Sequence, residues 1–154
     1  MILLALDAST TAIGYAIFKD GELRYSGVYV PFKTLEWWER IDCIGSWLYA
    51  TLSTSKADAI GYELATGNRG NMHTNRLLGA VEYEARRRAG DLPFHTVTAS
   101  QVKASGCSKD ALTVAEQIKG EPLHAKCPGD EADAIGVGLV VLGKIKAGEM
   151  EARW

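Results

Sequence analysis

The sequence is poor in cysteine: Cys43, Cys107 and Cys127 are its three, and none forms a CxxC pair. An odd number without paired spacing argues against a disulfide framework and favours reduced thiols in a cytosol. His124 lies three residues before Cys127, but two potential ligands in a loop are weak evidence for a metal site, and we interpret them as an incidental pair.

Long hydrophobic runs are also missing. No apolar stretch approaches the ~20 residues that a membrane span needs. The N-terminal run lacks the basic start and the length of a signal peptide, and it reaches an acid at position 7. Internal repeats and low-complexity tracts are absent, and the 47% apolar content fits a globular core. We therefore expect a single domain over residues 1–154, no membrane partner and a cytoplasmic location.

An excess of positive charge is the third absence. The chain has 17 Lys and Arg against 19 Asp and Glu, a net charge of −2, which at first argues against a nucleic-acid partner. The distribution is uneven, because residues 67–119 carry eight basic against five acidic side chains. If four acids belong to a metal site, the remaining scaffold is mildly basic. The charge therefore permits a nucleic-acid partner without requiring one.

The chain begins with an apolar run, residues 2–6, that ends at Asp7. A run this short and this apolar predicts a strand buried on both faces. Residues 12–18 and 23–30 are further β-rich runs, and Asp20-Gly21 between them is a hairpin signal. These three strands predict an antiparallel meander at the start of the fold.

The rest of the chain alternates between helix and strand patterns. The predicted elements are a helix through Leu35–Leu52 capped by Thr34, a strand Ala57–Glu63, a helix through Leu77–Ala85, a strand Pro93–Val97, a short helix at Leu112–Ile118 capped by Ser108, and a helix Asp130–Lys146. This order is typical of an α/β fold with a mixed sheet.

Four acids stand at informative places in these elements. Asp7 and Glu63 each end a strand, and Asp130 and Asp133 are three apart in the first turn of the last helix. Residues at that spacing share a helix face, and the positive end of the helix dipole favours carboxylates. If the two strands are neighbours, all four carboxylates converge at one edge of the sheet.

Such a cluster has a definite chemistry. Unpaired carboxylates repel one another, whereas Mg²⁺ or Mn²⁺ is well matched by oxygen ligands. Two ions about 3.5–4 Å apart can clamp the attacking water and the leaving oxygen of a phosphodiester. Each acid alone also has an ordinary structural explanation, so only the combination favours a metal site.

Four segments resemble the RuvC family of Holliday junction resolvases: LALDAST, IGYELATG, SQVKASGCSK and GDEADAIGVGL. The similarity runs nearly end to end, and the short chain looks most like a bacteriophage-encoded member. The resemblance implies a ribonuclease H-like fold, with a five-stranded mixed sheet whose first three strands are antiparallel, flanked by helices. It also implies a homodimer that nicks two strands of a four-way DNA junction, in the cytoplasm of a bacterial host cell.

The resemblance further implies site residues. The catalytic and metal-binding acids would be Asp7, Glu63, Asp130 and Asp133, holding two Mg²⁺ ions per site, with Mn²⁺ as a substitute. Lys103 and Lys109 would be phosphate contacts or electrostatic stabilisers. Glu131, between the last two acids, would face away on a helix and is left out.

The loop after Glu63 offers candidate DNA contacts: Arg69, Asn71, His73 and Arg76. A solvated loop and helix face explains each of them equally well. Well-studied cellular members have an aromatic residue a few positions after the strand-end glutamate, whereas this chain has Leu64-Ala65-Thr66. The segment between Lys103 and Lys109 is also shorter than theirs. We therefore predict a loose preference for branched DNA rather than a narrow sequence preference.

Three other functions remain open. A sugar-kinase or actin-like nucleotide-binding fold starts in the same way, but it needs a duplicated domain and a second phosphate loop, for which 154 residues leave no room. A non-catalytic branched-DNA-binding module would have no use for four acids. Another ribonuclease H-like nuclease, acting on RNA–DNA hybrid or processing ribosomal RNA, would use the same four.

Overall fold

A computed structural model of the chain describes residues 1–9, 11–65 and 72–150. The strands are β1 (Ile2–Ala8), β2 (Ile13–Lys19), β3 (Glu22–Tyr29), β4 (Ala59–Leu64) and β5 (Phe94–Thr98). The helices are α1 (Trp37–Ser55), α2 (Met72–Ala89), α3 (Ala99–Ala104), α4 (Leu112–Lys119) and α5 (Pro128–Lys146).

The strands form one mixed sheet in the order β3-β2-β1-β4-β5. β1 to β3 are antiparallel neighbours, and β4 and β5 continue the sheet parallel to β1. Asp20 and Gly21 form the turn between the paired residues Lys19 and Glu22, with φ angles of 54° and 86°. Positive φ at both positions gives a two-residue hairpin turn whose twist matches that of the flanking strands. The predicted α/β class, the mixed sheet and the antiparallel start are confirmed.

The two faces of the sheet pack against different helices. Leu3 and Ala5 of β1 belong to the core under α5, together with parts of α3 and α4. Leu4 and Leu6 belong to the core under α1 and α2. Alternate residues of a strand point to opposite faces, so β1 needs apolar side chains at every position until Asp7.

α5 approaches the sheet closely because its inner face is made of small residues. A Cβ on Gly138 would lie 2.1 Å from Cε2 of Phe18 on β2, so any side chain there would push the helix away from the sheet. The helix also begins two residues earlier than predicted, with Pro128 in its first turn, where proline costs no helical hydrogen bond.

Two predicted caps are wrong. Thr34 lies in a turn closed by Leu35 N–H and the Phe32 carbonyl (3.2 Å), and α1 begins after Glu36, whose N–H is satisfied by the Glu39 carboxylate (2.8 Å). The expected cap Ser108 of the helix at Leu112 instead forms a turn with Ala111, whose N–H donates to the Ser108 carbonyl (2.8 Å). Ala111 is the residue that precedes α4.

The sequence interpretation also missed α3. Its N-cap is Thr98, which accepts a hydrogen bond from Gln101 N (3.3 Å) and donates its own N–H to the Gln101 side chain (2.9 Å). This T-x-x-Q capping box was a readable signal.

Among the described parts of the chain, none of the helices combines the length and the apolar character needed to cross a membrane. Cys43, Cys107 and Cys127 are all free thiols.

Candidate active site

Asp7 and Glu63 leave the sheet side by side. β1 and β4 are parallel neighbours in which Leu6 pairs with Tyr62, and each acid is the next residue along its strand. Successive side chains of a strand point to opposite faces of the sheet. Asp7 therefore lies on the same face as Ala5, and Glu63 on the same face as Gly61, which is the face that α5 covers. The sheet therefore directs both carboxylates towards α5.

The first turn of α5 completes the set. Gly14 is the partner of Asp7 on β2, and a Cβ at Gly14 would lie 1.9 Å from the Asp130 carbonyl oxygen. Only a residue without a side chain admits this backbone contact, which brings Asp130 next to Asp7. Asp133, one turn on, is 8% exposed and accepts a hydrogen bond from Lys109 N (2.7 Å).

The four acids line a single recess of about 440 Å³ at this edge of the sheet. Its wall also includes Ala8, Ser9, Ala65, Thr74, Leu78, Lys109 and Gly129. The convergence expected from the sequence is therefore present in the fold. Thr74 and Leu78 show that α2 supplies the opposite wall, a contribution that the sequence interpretation missed because α2 has no acid to mark it.

The electrostatics of the recess are unfavourable to bare carboxylates. Burial, followed by the charges of Glu63, Asp133 and Asp130, raises the pKa of Asp7 well above its usual range, and Lys109 opposes this shift. Burial also raises the pKa of Asp130 and of Asp133, again against Lys109. Among the described residues, Lys109, together with His124 at Asp130, does not supply enough positive charge to offset the burial of these carboxylates.

The donor set fits a hard divalent cation in its chemistry, since all four side chains offer carboxylate oxygens. Within the described residues, no three His, Cys, Asp or Glu side chains stand arranged as a formed metal site. A cation would therefore have to draw the carboxylates together against their mutual repulsion.

The two predicted lysines lie at different depths. Lys109 lines the recess and also an adjoining cavity of about 250 Å³, whose wall includes Glu63 and Asp133. Lys103 lines only the adjoining cavity; its side chain is 72% exposed and lies 3.3 Å from the Asp110 carboxylate. Lys109 is placed at the acids, and Lys103 at the rim.

The predicted DNA contacts are only partly visible. Arg69 and Asn71 lie outside the described residues. His73 and Arg76 are exposed in the first turns of α2, on the element that also carries Thr74 and Leu78 into the recess wall. These two therefore lie on the helix that borders the recess but do not themselves line it.

Glu131 does face away from the other acids, as expected, but it is fully buried. Its carboxylate accepts hydrogen bonds from Ser26 Oγ (2.6 Å) and from His124 N, and Lys119 Nζ lies 2.8 Å away. Burial raises the pKa of Glu131, yet these three partners outweigh it and the net shift is downwards. No sequence pattern indicates these partners, because they are distant along the chain.

His124 and Cys127, which the sequence analysis interprets as an incidental pair, are neighbours just before α5: Cys127 N donates a hydrogen bond to His124 Nδ1 (3.1 Å).

The fold has clear relatives among solved structures. RuvC of Thermus thermophilus, solved in complex with a Holliday junction substrate, superposes with a TM-score of 0.83 at 18% identity, covering 99% of each chain. The chain has a RuvC-like fold. A second Thermus thermophilus RuvC structure gives a TM-score of 0.77 over 99% of this chain and 100% of that one, again at 18% identity.

The RuvC-like fold extends to a eukaryotic protein. The yeast mitochondrial Holliday junction resolvase Ydc2 superposes with a TM-score of 0.64 at 11% identity, covering 96% of this chain and 81% of its own. No family model matches the sequence, and no curated protein matches it significantly. The structure thus confirms the predicted α/β fold with a five-stranded mixed sheet and shows its likeness to RuvC, although no sequence comparison finds a relative.

Proposed function

We propose that the chain is a metal-dependent, structure-selective DNA endonuclease that resolves Holliday junctions, and related branched DNA, by paired nicks. The observation that carries the proposal is the convergence of Asp7, Glu63, Asp130 and Asp133 in one recess, in a fold that superposes on junction resolvases along its whole length. The similarity in fold alone would fit a binding module. The four buried or half-buried carboxylates in one recess are the oxygen ligands that a metal-dependent phosphodiester-cleaving site uses.

The proposed cofactor is Mg²⁺, as two ions per site, with Mn²⁺ as a substitute. Asp7, Glu63, Asp130 and Asp133 would hold it, and when bound it supplies the positive charge that activates water and stabilises the departing oxygen of the phosphodiester. The raised pKa values support this assignment, because a bound cation would offset the burial that raises all three and, at Asp7 and Asp133, the added repulsion of neighbouring carboxylates.

The basic residues complete the proposed mechanism. Lys109 stands next to the acids, where its ammonium can neutralise an oxygen of the phosphate being cleaved. Lys103 at the rim, with His73 and Arg76 on α2, would hold neighbouring phosphates and so orient the strand. Phosphate contacts of this kind make affinity strongly dependent on salt.

The two cuts of a junction are related by a two-fold axis, so we propose a homodimer with one recess per subunit. An origin in a bacteriophage and a place in the host cytoplasm remain predictions from the sequence.

A nicking assay with Mg²⁺ on a four-way junction, a linear duplex and an RNA–DNA hybrid tests the proposal. We expect paired nicks in the junction, loss of cleavage in EDTA, and cleavage of the other substrates slower by at least about 100-fold. Asp7→Asn should lose at least about 100-fold in rate, since charge stabilisation by bound cations is worth several kcal/mol, while junction binding is retained. Asp20→Asn is the matched control. Asp20 lies in the β2–β3 hairpin, at the opposite end of the strands from Asp7, and its side chain is 66% exposed.

Several results would contradict the proposal. Equal cleavage of linear duplex would exclude junction selectivity, and preferred cleavage of the hybrid would favour the other ribonuclease H-like activity. Full activity of Asp7→Asn would exclude the four-acid site. Cleavage of one junction-core sequence far above all others would contradict the expected loose preference.

A further inference from the structure

Glu131 is a buried carboxylate that the proposed mechanism does not use. It lies on α5 between Asp130 and Asp133 and is 0% exposed. A buried charge is costly unless it is paired and hydrogen-bonded. The question is therefore what the buried carboxylate and its three contacts do for the fold.

The contacts of Glu131 come from three separate parts of the fold. Ser26 Oγ on β3 donates to Oε1 (2.6 Å), Lys119 Nζ at the end of α4 lies 2.8 Å from the same oxygen, and His124 N donates to Oε2. β3 and α5 are 105 residues apart at this hydrogen bond. One side chain therefore fixes the start of α5 to the sheet and to the preceding helix.

The same contacts also order the connection between α4 and α5. Lys119 Nζ donates to the Pro122 carbonyl (3.0 Å), and Cys127 N donates to His124 Nδ1 (3.1 Å) immediately before α5 begins. The connection is thus tied at its beginning, middle and end. Its path determines where the first turn of α5 stands.

That first turn is held from another side as well. The backbone of Asp130 packs against Gly14 on β2, and Lys109 N donates a hydrogen bond to the Asp133 carboxylate (2.7 Å). Loss of the Glu131 contacts would remove the support that β3, α4 and the connection give to this turn, and leave the support from β2 and the Lys109 segment.

We propose that Glu131 is a positioning residue: it fixes the first turn of α5 so that Asp130 and Asp133 meet Asp7 and Glu63 in an arrangement that binds a divalent cation. As far as cleavage is concerned, this inference rests on the proposed function. The cation-binding part does not require that the substrate be a junction.

Glu131→Gln tests the role because it keeps the shape and removes the charge that pairs with Lys119. Titration calorimetry of the DNA-free protein with Mn²⁺ should show affinity weakened by about 10-fold or more, as for other residues that orient metal ligands. On the junction, kcat should fall about 100-fold, which a displacement of about 1 Å is sufficient to cause. KM should change much less, because the phosphate-contacting lysines are untouched.

Val141→Ala is the matched control for stability. Val141 is fully buried on the same helix, against β4, and lies about 12 Å along the axis from Asp133. It should lower the unfolding midpoint while leaving Mn²⁺ affinity and kcat within about threefold of wild type, well below the 10- to 100-fold range of a positioning effect.

Ser26→Ala provides a second test if Glu131→Gln does not fold, because it removes one hydrogen bond without leaving an unpaired charge. We expect Mn²⁺ affinity to fall about 10-fold, at the lower end of such effects. Variants of Glu131 and Ser26 that bind Mn²⁺ and cut DNA as Val141→Ala does would overturn the inference. If wild type binds Mn²⁺ but cuts no junction, the proposed function fails, whereas weaker Mn²⁺ binding by Glu131→Gln still supports the positioning role.

Discussion

Gly14 and Asp130 are in direct backbone contact: a Cβ on Gly14 would lie 1.9 Å from the Asp130 carbonyl oxygen and 2.4 Å from its carbon. Gly14 is also the cross-strand partner of Asp7. The distance between the acid of β1 and the first acid of α5 is therefore set by a residue that has no side chain.

Gly14→Ala should separate α5 from β2 at the site. A neighbouring backbone cannot move aside as a side chain can, so we expect a loss of about 3 kcal/mol in the free energy of unfolding, at the upper end for overpacking, and loss of cleavage. Urea denaturation and the nicking assay measure the two effects. Gly79→Ala is the control: nothing lies within 4 Å of its Cβ position on exposed α2, and it should stabilise by up to about 1 kcal/mol. Equal stability of the two variants would contradict the role given to Gly14.

The raised pKa values predict how stability depends on pH without metal. Asp7, Asp130 and Asp133 all have pKa values above the ordinary 3.8, so between 3.8 and the raised values the folded state holds more protons than the unfolded state. Their contribution to stability is complete below 3.8 and is lost as pH rises through the raised values.

Asp7→Asn isolates this effect. In EDTA, the variant should be more stable than wild type at pH 8, and its advantage should shrink towards pH 4, because the amide has no proton to lose. Comparing two proteins that share Glu84 and Glu131, whose pKa values are lowered, cancels the opposite contribution of those groups at acid pH. A pH-independent difference between variant and wild type in denaturant titrations would contradict the prediction.

Divalent cations should stabilise the folded protein through the same acids. At free Mg²⁺ one hundred times its dissociation constant, binding to the folded state alone adds about 2.7 kcal/mol. We expect the unfolding midpoint of wild type and of Asp20→Asn to rise with Mg²⁺, and that of Asp7→Asn to rise by less than half as much. A similar rise in all three proteins would place the cation elsewhere.

Substitution of the two predicted lysines should have different effects, one on the cleavage rate and the other on junction binding. Lys109→Ala should reduce the cleavage rate about 100-fold, as for removal of other charge-stabilising groups, with little change in junction affinity. Lys103→Ala should weaken binding and lower the salt dependence by about one phosphate contact. Lys146→Ala, exposed at the far end of α5, is the control. Identical kinetic profiles for Lys103→Ala and Lys109→Ala would show that depth in the site does not matter.

The sequence was sufficient for the part of the site that depends on chain periodicity. An apolar run ending at Asp7 can only be a buried strand that reaches the edge of the sheet, and two acids three apart share a helix face whatever the helix packs against. The predicted site also required that β1 and β4 be neighbours in the sheet. The sequence pattern does not show which strands pair, because pairing depends on contacts between residues that are distant along the chain.

Local competition between hydrogen-bond partners explains most of the errors. Thr34 and Ser108 are good caps by type, but Glu39 satisfies a later N–H and Ser108 closes a turn instead. Glu131 shows a different limit. Its partners Ser26 and Lys119 belong to β3 and α4. The residue pattern of α5 by itself does not indicate that the helix face that bears Glu131 is buried.

The hydrogen bond between Ser26 and Glu131 spans 105 residues, and this separation has a consequence for synthesis. A ribosome synthesises the strand that bears Asp7 well before the helix that bears Asp130 and Asp133. A growing chain can form the hairpin and the first helices while it still lacks two of the four acids. The recess is therefore assembled only after α5 has been synthesised, and a chain that terminates before α5 lacks a complete acid cluster.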